Sequence, residues 1–279
     1  MSRLLLVTAP VLVCLSLHAQ TQAVSISFRA MAGDRDLVCG QKYEGVGTTK
    51  STITPRDFRF YVHNVRVVDA AGKEHAVQLE QDGKWQLDDV ALLDFENATG
   101  GCSNGTPDLN TAVKGTIPAG VKAAGVRFTM GVPFEKNHTD LASMPSPLNL
   151  TALAWVWNAG RKFARLDFSS TGVPRGYAVH LGSTGCTPNE TKTTIPTKCG
   201  YPNRTEVDLP GFDIAKDSVV ADIAALLRDS NVDEGGKMMS GCMSGRETPA
   251  CKPLLANFGL DGQPQSFFRS SRVTTASLR

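Results

Sequence analysis

A chain of 279 residues with 41% hydrophobic and 20% charged residues is long enough for one large folded domain or two small ones. Its formal charge is +2, from 29 Lys and Arg against 27 Asp and Glu. With no Lys/Arg cluster, it lacks the electrostatic footprint of a nucleic-acid or membrane-surface binder.

The N-terminus reads as a secretory signal: Arg3 supplies the positive end, residues 4–17 the apolar run, and Leu17-His18-Ala19 the small-residue cleavage site. That run is shorter than the ~20 apolar residues of a membrane helix, and no later run approaches them. Residues 1–22 are therefore assigned to the signal and 23–279 to one exported domain with no membrane span. Cys14 follows Val13, which is too large for a lipid-attachment site, and leaves with the signal. Six cysteines remain: Cys39, Cys102, Cys186, Cys199, Cys242 and Cys251. An even count in an exported chain reads as disulfides, and no CxxC spacing suggests zinc. Short loops suggest Cys186 with Cys199 and Cys242 with Cys251, leaving Cys39 with Cys102, among the 15 pairings that six cysteines allow.

From Val24 onward the pattern is strand after strand. Val24, Ile26 and Phe28 alternate with Ser25 and Ser27, as in a half-buried strand. Residues 32–54 read as a loop that Pro55 closes. Residues 58–68 form a long strand, with Tyr61, His63, Val65 and Val67 on one face and Phe58, Phe60 and Val62 on the other. Residues 76–79 and 85–87 flank Asp82-Gly83, a hairpin signal over which Trp85 is expected to pack. Residues 90–95 make a buried strand, 97–110 a loop, and 113–117 and 121–130 two further strands.

Residues 135–150 are irregular, and irregular backbone of that length is often functional. Then comes Ala154-Trp155-Val156-Trp157, whose two indoles share a strand face, with a turn at 158–160 and residues 162–168 as the partner strand. Residues 177–181 form a strand ending in the turn 182–185. On it, His180 shares a face with Ala178 and Gly182, which leaves small-walled space over the imidazole. Residues 205–209 are strand-like, 219–223 strand or helix, and 224–229 a short helix by propensity. The Gly/Ser/Pro-rich tail past Asp233, with Met238, Met239 and Met243, reads as a disulfide-pinned irregular lobe. The fold class is mainly β: a single antiparallel sandwich-like domain with long loops.

Spacing alone makes the two tryptophans core aromatics and His63 a hydrogen-bonded core imidazole. Their company says more. Phe60-Tyr61-Val62-His63, Ala91-Leu92-Leu93-Asp94-Phe95-Glu96, Asn137-His138, Pro147-Leu148-Asn149, the Trp-Val-Trp stretch and His180-Leu181-Gly182-Ser183-Thr184-Gly185-Cys186, in this order, resemble the methanobactin-associated copper-binding family (MbnP-like), also known for a four-cysteine motif. The resemblance runs from about Phe28 to about Cys251; two of the six cysteines exceed the family's four.

What the resemblance implies is a copper-binding protein of bacterial copper homeostasis, periplasmic or secreted, monomeric and not an enzyme. An intact indole has no in-plane lone pair and cannot ligate a metal. In the family the first tryptophan of the motif becomes kynurenine, whose aryl amine and ketone can. That position is Trp155, and the oxidant would be an exported di-haem peroxidase-like partner enzyme. His63, His138 and His180 are the accompanying candidate ligands, since neutral imidazole suits copper. His75, beside Lys73 and Glu74, is expected to be solvated. The Asn-x-Ser/Thr sequences at Asn97, Asn104, Asn137, Asn149, Asn189 and Asn203 then read as turn composition. Two other classes compete. A hydrolase would use Ser183 beside His180, although no GxSxG elbow is present. A carbohydrate- or protein-binding module would use exposed tryptophans.

Overall fold

The alternation at Val24 becomes the strand Thr21–Ala32, which turns Ile26, Phe28 and Ala30 inward. It pairs antiparallel with Ala112–Pro118 and parallel with Asp217–Asp222, which in turn pairs with Phe268–Arg272. The computed structural model describes residues 20–155, 160–187, 195–235 and 240–272. The signal up to residue 19, Trp157, Asn189, Met238 and Met239 lie outside the described residues. Thr21 and Gln22 pair with Pro118 and Ile117.

A second, larger sheet runs in the order Thr205–Pro210, Gly125–Met130, Ser51–Val68, Ala164–Ser170, Tyr177–Leu181, Ser240–Cys242. The inner faces of the two sheets share one core. Phe28 meets Phe128 at 5.6 Å between centroids, and Phe268 meets Phe128 at 5.2 Å and Phe60 at 5.5 Å, all edge-to-face. Each such buried ring contributes roughly 1.5–3 kcal/mol of burial. The fold is thus mainly β and sandwich-like, as the alternation implied.

One strand departs from simple alternation, and the departure places a face of the molecule. Arg127 pairs with Arg66 but Thr129 with His63, so the Ser51–Val68 strand carries one extra residue there. Asn64, exposed and with a positive φ of 51°, is that bulge. On its N-terminal side Phe58, Phe60 and Val62 face the main core and Arg59, Tyr61 and His63 face outward; beyond it Val65 and Val67 return to the core. The expected row of Tyr61, His63, Val65 and Val67 is therefore broken, because an inserted residue exchanges the faces of everything after it.

Other corrections have equally local reasons. The Asp82-Gly83 segment joins no hairpin: Gln78–Leu79 pairs with Ala112–Pro118 in one sheet, and Gln86–Leu87 with Val90–Asp94 in the other. The carboxylate of Asp82 accepts from the N–H groups of Lys84, Trp85 and Gln86 and so turns the chain between the sheets. Within the presumed loop 32–54, Tyr43–Val46 is a strand and Ser51–Val68 already begins; Pro55 sits inside it at a register shift, where a missing donor costs nothing. The tail is partly regular, with the helix Cys251–Asn257 and the edge strand Phe268–Arg272 burying Leu254, Leu255 and Phe268. The helix expected at 224–229 is Ile223–Leu227, capped by Asp222. Three disulfides join Cys39 to Cys102, Cys186 to Cys199 and Cys242 to Cys251. No helix among the described residues is long and apolar enough to cross a membrane.

The outward face of the larger sheet is covered in turn. Tyr61, Val90, Leu92 and Phe163 meet Val132, Leu148 and Leu153 in a second apolar cluster, so residues 131–153 lie over the sheet as a lid. Beside it runs a buried polar row, in which Asp57 chelates Arg59 and Arg165 bonds Asp57 and Asp167. Burial pushes the carboxyl of Asp94, also in this row, up to about 7, against the N–H of Glu96 and the charge of Arg59. A carboxyl raised in the fold stabilises it fully below its unfolded value near 3.8 and loses that contribution as pH rises through about 7. Asp94→Asn is accordingly expected to raise the melting temperature at pH 8 and leave it unchanged at pH 4; an unchanged melt at pH 8 would contradict this.

Candidate metal centre

Trp155 is placed by its short neighbours. A turn of 3-10 helix, Thr151–Leu153, leads into the strand Ala154–Trp155, which pairs with Gly160–Arg161. The N–H of Lys162 donates to Leu153, and Lys162 Nζ and Arg165 donate to the Ala152 carbonyl. The strand expected over 162–168 splits here: Gly160–Arg161 serves the tryptophan, and Ala164–Ser170 belongs to the large sheet.

Trp155 is buried at 3% exposure, yet it belongs to neither apolar cluster. The six-membered edge of its indole lies on Gly182: an added Cβ there would stand 2.5 Å from Cζ3 and 2.9 Å from Cη2. The ring of Trp155 thus lies against Gly182, one of the small residues expected beside His180. Gly182 is itself held, its N–H donating to Ser244 Oγ and its carbonyl accepting from Asn203. Ser244 Oγ donates to the carbonyl of His180.

His180 projects to the same face two residues before Gly182, about 6–7 Å away between Cα atoms. Its Nε2 meets Asp167 at 2.8 Å. Burial alone would raise the Asp167 carboxyl, but its bonds from His180 and Arg165 outweigh burial and hold it below the ordinary range. Asp167 is therefore the acceptor and Nε2–H the donor. Nδ1 of His180 is buried with no hydrogen-bond partner among the described residues. An imidazole oriented by a carboxylate through one nitrogen, with the lone pair of the other unused, is the arrangement that metal-binding histidines adopt. Ser183 donates to the Pro202 carbonyl, and neither nitrogen of His180 bonds it, so the pair is no serine nucleophile and base.

His138 ends the short helix Phe134–Asn137. Asn137 Oδ1 accepts from the N–H of Arg161, so its Nδ2 donates to His138 Nε2 at 3.0 Å. Arg161, unmarked in the sequence and only 2% exposed, ties this turn down: its guanidinium donates to the carbonyls of Lys136, Asn137, Thr139 and Leu148. The Arg161 carbonyl lies 2.8 Å from the same Cβ position on Gly182 that Trp155 occupies. Trp155 and Arg161, the residue that holds the His138 turn, thus meet at Gly182, two residues past His180.

His63 lies elsewhere. Arg59, Arg165 and His180 are register partners across three strands, and His63 is four residues further along the first of them. That spacing places the Cα atoms of His63 and His180 about 16 Å apart, with Tyr61 and Phe163 between. His63 Nδ1 donates to the Gly131 carbonyl at 3.0 Å, and burial foremost lowers its pKa. His75 bonds Asp69 through Nε2 at 2.8 Å rather than standing solvated. Trp85 packs at the rim of the second cluster with Lys84 over its ring.

Asp167, Arg161, Asn203 and Ser244 were not legible as site residues. Asp167 had only its place in an alternating strand to mark it, and the others work through backbone groups that no side-chain pattern reveals.

Residues 21–244 match the model of the family described as MbnP. A solved structure, MbnP from Methylosinus trichosporium, is similar with a TM-score of 0.77 and 28% sequence identity, covering 91% of this chain and 100% of that one. No curated protein matches the chain.

Proposed function

This chain belongs to the MbnP family, and from that premise we propose that it is an exported copper-binding protein whose site is completed by oxidation of Trp155 to kynurenine. The observation that supports this most is the seat of Trp155: its benzo edge rests on Gly182, two residues past His180, whose Nδ1 is buried and, among the described residues, unused. A soft or borderline cation suits imidazole and an aryl amine. His180 and His138, with Trp155 as kynurenine, would hold copper; His63 is not included, since ideal strand spacing sets it about 16 Å from His180. Bound copper would supply a redox-active, thiophilic ion to whatever the protein serves in copper homeostasis.

Oxidation adds two oxygen atoms across the C2–C3 bond of the indole and removes four electrons, which a di-haem peroxidase-like partner would pass to two equivalents of peroxide. Hydrolysis then releases C2 as formate. The benzo ring anchored on Gly182 is untouched by these steps, so the new amine and ketone appear where the indole stood. Because Trp155 is buried, its electrons would leave through a relay, and Trp157 is the neighbour in sequence best suited to it. The signal sequence and the three disulfides support export to the periplasm or beyond. Membership of the MbnP family supports a protein that acts by binding.

Copper titration of converted protein tests the ligand set. His180→Ala and His138→Ala are each expected to weaken binding at least about a hundredfold, more than loss of a supporting group does. His63→Ala and His75→Ala should leave it within a few-fold. Equal affinity across all four would retire the site, as would a loss confined to His63→Ala.

A further inference from the structure

Among the described residues, a ring nitrogen of His138 and the sulfurs of Cys186 and Cys199 all lie within 4.8 Å of one another. Cys186 and Cys199 are directly opposite each other on the ribbon Thr184–Thr187 and Lys198–Tyr201. Their disulfide is the one that touches an imidazole, Cys199 Sγ standing 3.4 Å from His138 Nε2. In a tetrahedral site with metal–sulfur bonds near 2.3 Å and metal–nitrogen bonds near 2.0 Å, nitrogen and sulfur ligands stand about 3.5 Å apart and two sulfurs about 3.8 Å. The imidazole is already at that separation, and only the two sulfurs must part.

We propose that Cys186, Cys199 and His138 form a redox-gated site for a soft d10 cation such as Cu(I) or Zn(II), closed as a disulfide and opened by a dithiol reductant. The dithiol gives two electrons and two protons to the Cys186–Cys199 bond and becomes a disulfide itself. The two thiols formed lose their protons to water as they bind the ion, and His138 Nε2 gives up the donor Asn137 Nδ2 for it. Access favours reduction at this bond over Cys242–Cys251: Cys199 is half-exposed between exposed Lys198 and Gly200, whereas Cys242 and Cys251 are both buried. The thiolate site exists whether or not Trp155 is ever converted. It shares His138 with the copper site proposed above, so opening the disulfide would draw that imidazole away from it.

The test uses the full mature chain with Trp155→Phe, which cannot form kynurenine, so that its outcome is separate from the copper reading. After mild dithiol treatment and removal of the reductant without air, alkylation and peptide mapping of one aliquot identify the opened bond, and Co(II) is titrated as the probe into the remaining, unalkylated protein. One equivalent is expected to give a thiolate-to-cobalt charge-transfer band, displaced by Zn(II). Cys186→Ser and Cys199→Ser should each abolish the band. His138→Ala should keep both thiols and weaken binding at least about tenfold. A reduced Cys186/Cys199 pair, confirmed by mapping, that gives no band would overturn the proposal. So would a band that survives both serine variants, or an affinity unchanged in His138→Ala.

Discussion

Replacing Gly182 by alanine is expected to abolish both the conversion of Trp155 and tight copper binding while leaving the sandwich folded. The backbone at Gly182 shows no positive φ, so alanine brings no torsional strain there. The obstacle is contact: the new methyl would lie 2.5 Å from Trp155 Cζ3 and 2.8 Å from the Arg161 carbonyl oxygen. The carbonyl is backbone and is held by strand pairing, so the indole must yield. Overpacking of one methyl costs about 1–3 kcal/mol, which a domain of this size survives. Displacing the ring, by contrast, would move the amine and ketone of the proposed kynurenine from their seat on Gly182. Gly200→Ala is the matched control, since a Cβ there meets its neighbour at an ordinary 3.4 Å. Peptide mass analysis and copper titration of both variants check the result, with thermal melts confirming that both are folded; normal conversion in Gly182→Ala would contradict the seat described for Trp155.

Arg161→Met is expected to be the most destabilising single change near the site. Burial pushes the guanidinium of Arg161 below its ordinary pKa, and no carboxylate forms an ion pair with it among the described residues. Its charge is balanced instead by four carbonyl dipoles, from Lys136, Asn137, Thr139 and Leu148. Methionine fills similar volume but strands those carbonyls, and buried acceptors without donors cost about 1–3 kcal/mol each where water cannot replace the lost bond. With the lid free to open partly toward water, the sum is held to about 3–5 kcal/mol, or on the order of 10 °C in melting temperature. Arg161→Lys should recover little, because an ammonium cannot spread its donors over four carbonyls. Proteolysis should then cut first within residues 133–150. A melting temperature within 2–3 °C of the parent, about the effect of 1 kcal/mol, would show that the clamp is idle.

How much of this was legible in the sequence depended on whether a residue acts through its own side-chain pattern. Alternation at Val24, Ile26 and Phe28, and at Phe58, Phe60 and Val62, marked the inner faces correctly, since period two is the geometry of a pleated strand. Past Asn64 it failed, because one inserted residue inverts every later face and nothing in Val-His-Asn-Val announces a bulge. Asp-Gly at 82–83 looked like a hairpin; the carboxylate of Asp82 instead turns the chain from one sheet to the other, a matter of tertiary contacts. Trp155 and His180 stood out by their motifs, and the small wall over His180 followed from Ala178 and Gly182. Arg161 did not, because an arginine beside a lysine reads as a solvated pair and not as a buried clamp. His63 and His180 were marked alike by their motifs, and nothing in either motif says how far apart the strand register sets them, about 16 Å by ideal spacing.

The most direct test of the copper site is the mass of the peptide containing Trp155, measured in protein produced with and without a di-haem peroxidase-like partner, together with copper titration of each. With the partner, that peptide should gain the mass of one oxygen and lose that of one carbon, the change should map to Trp155 and to neither Trp157 nor Trp85, and tight copper binding should appear. Without the partner, Trp155 should be intact and copper binding weak. Tight binding by unconverted protein, or conversion at Trp157 in place of Trp155, would contradict the account.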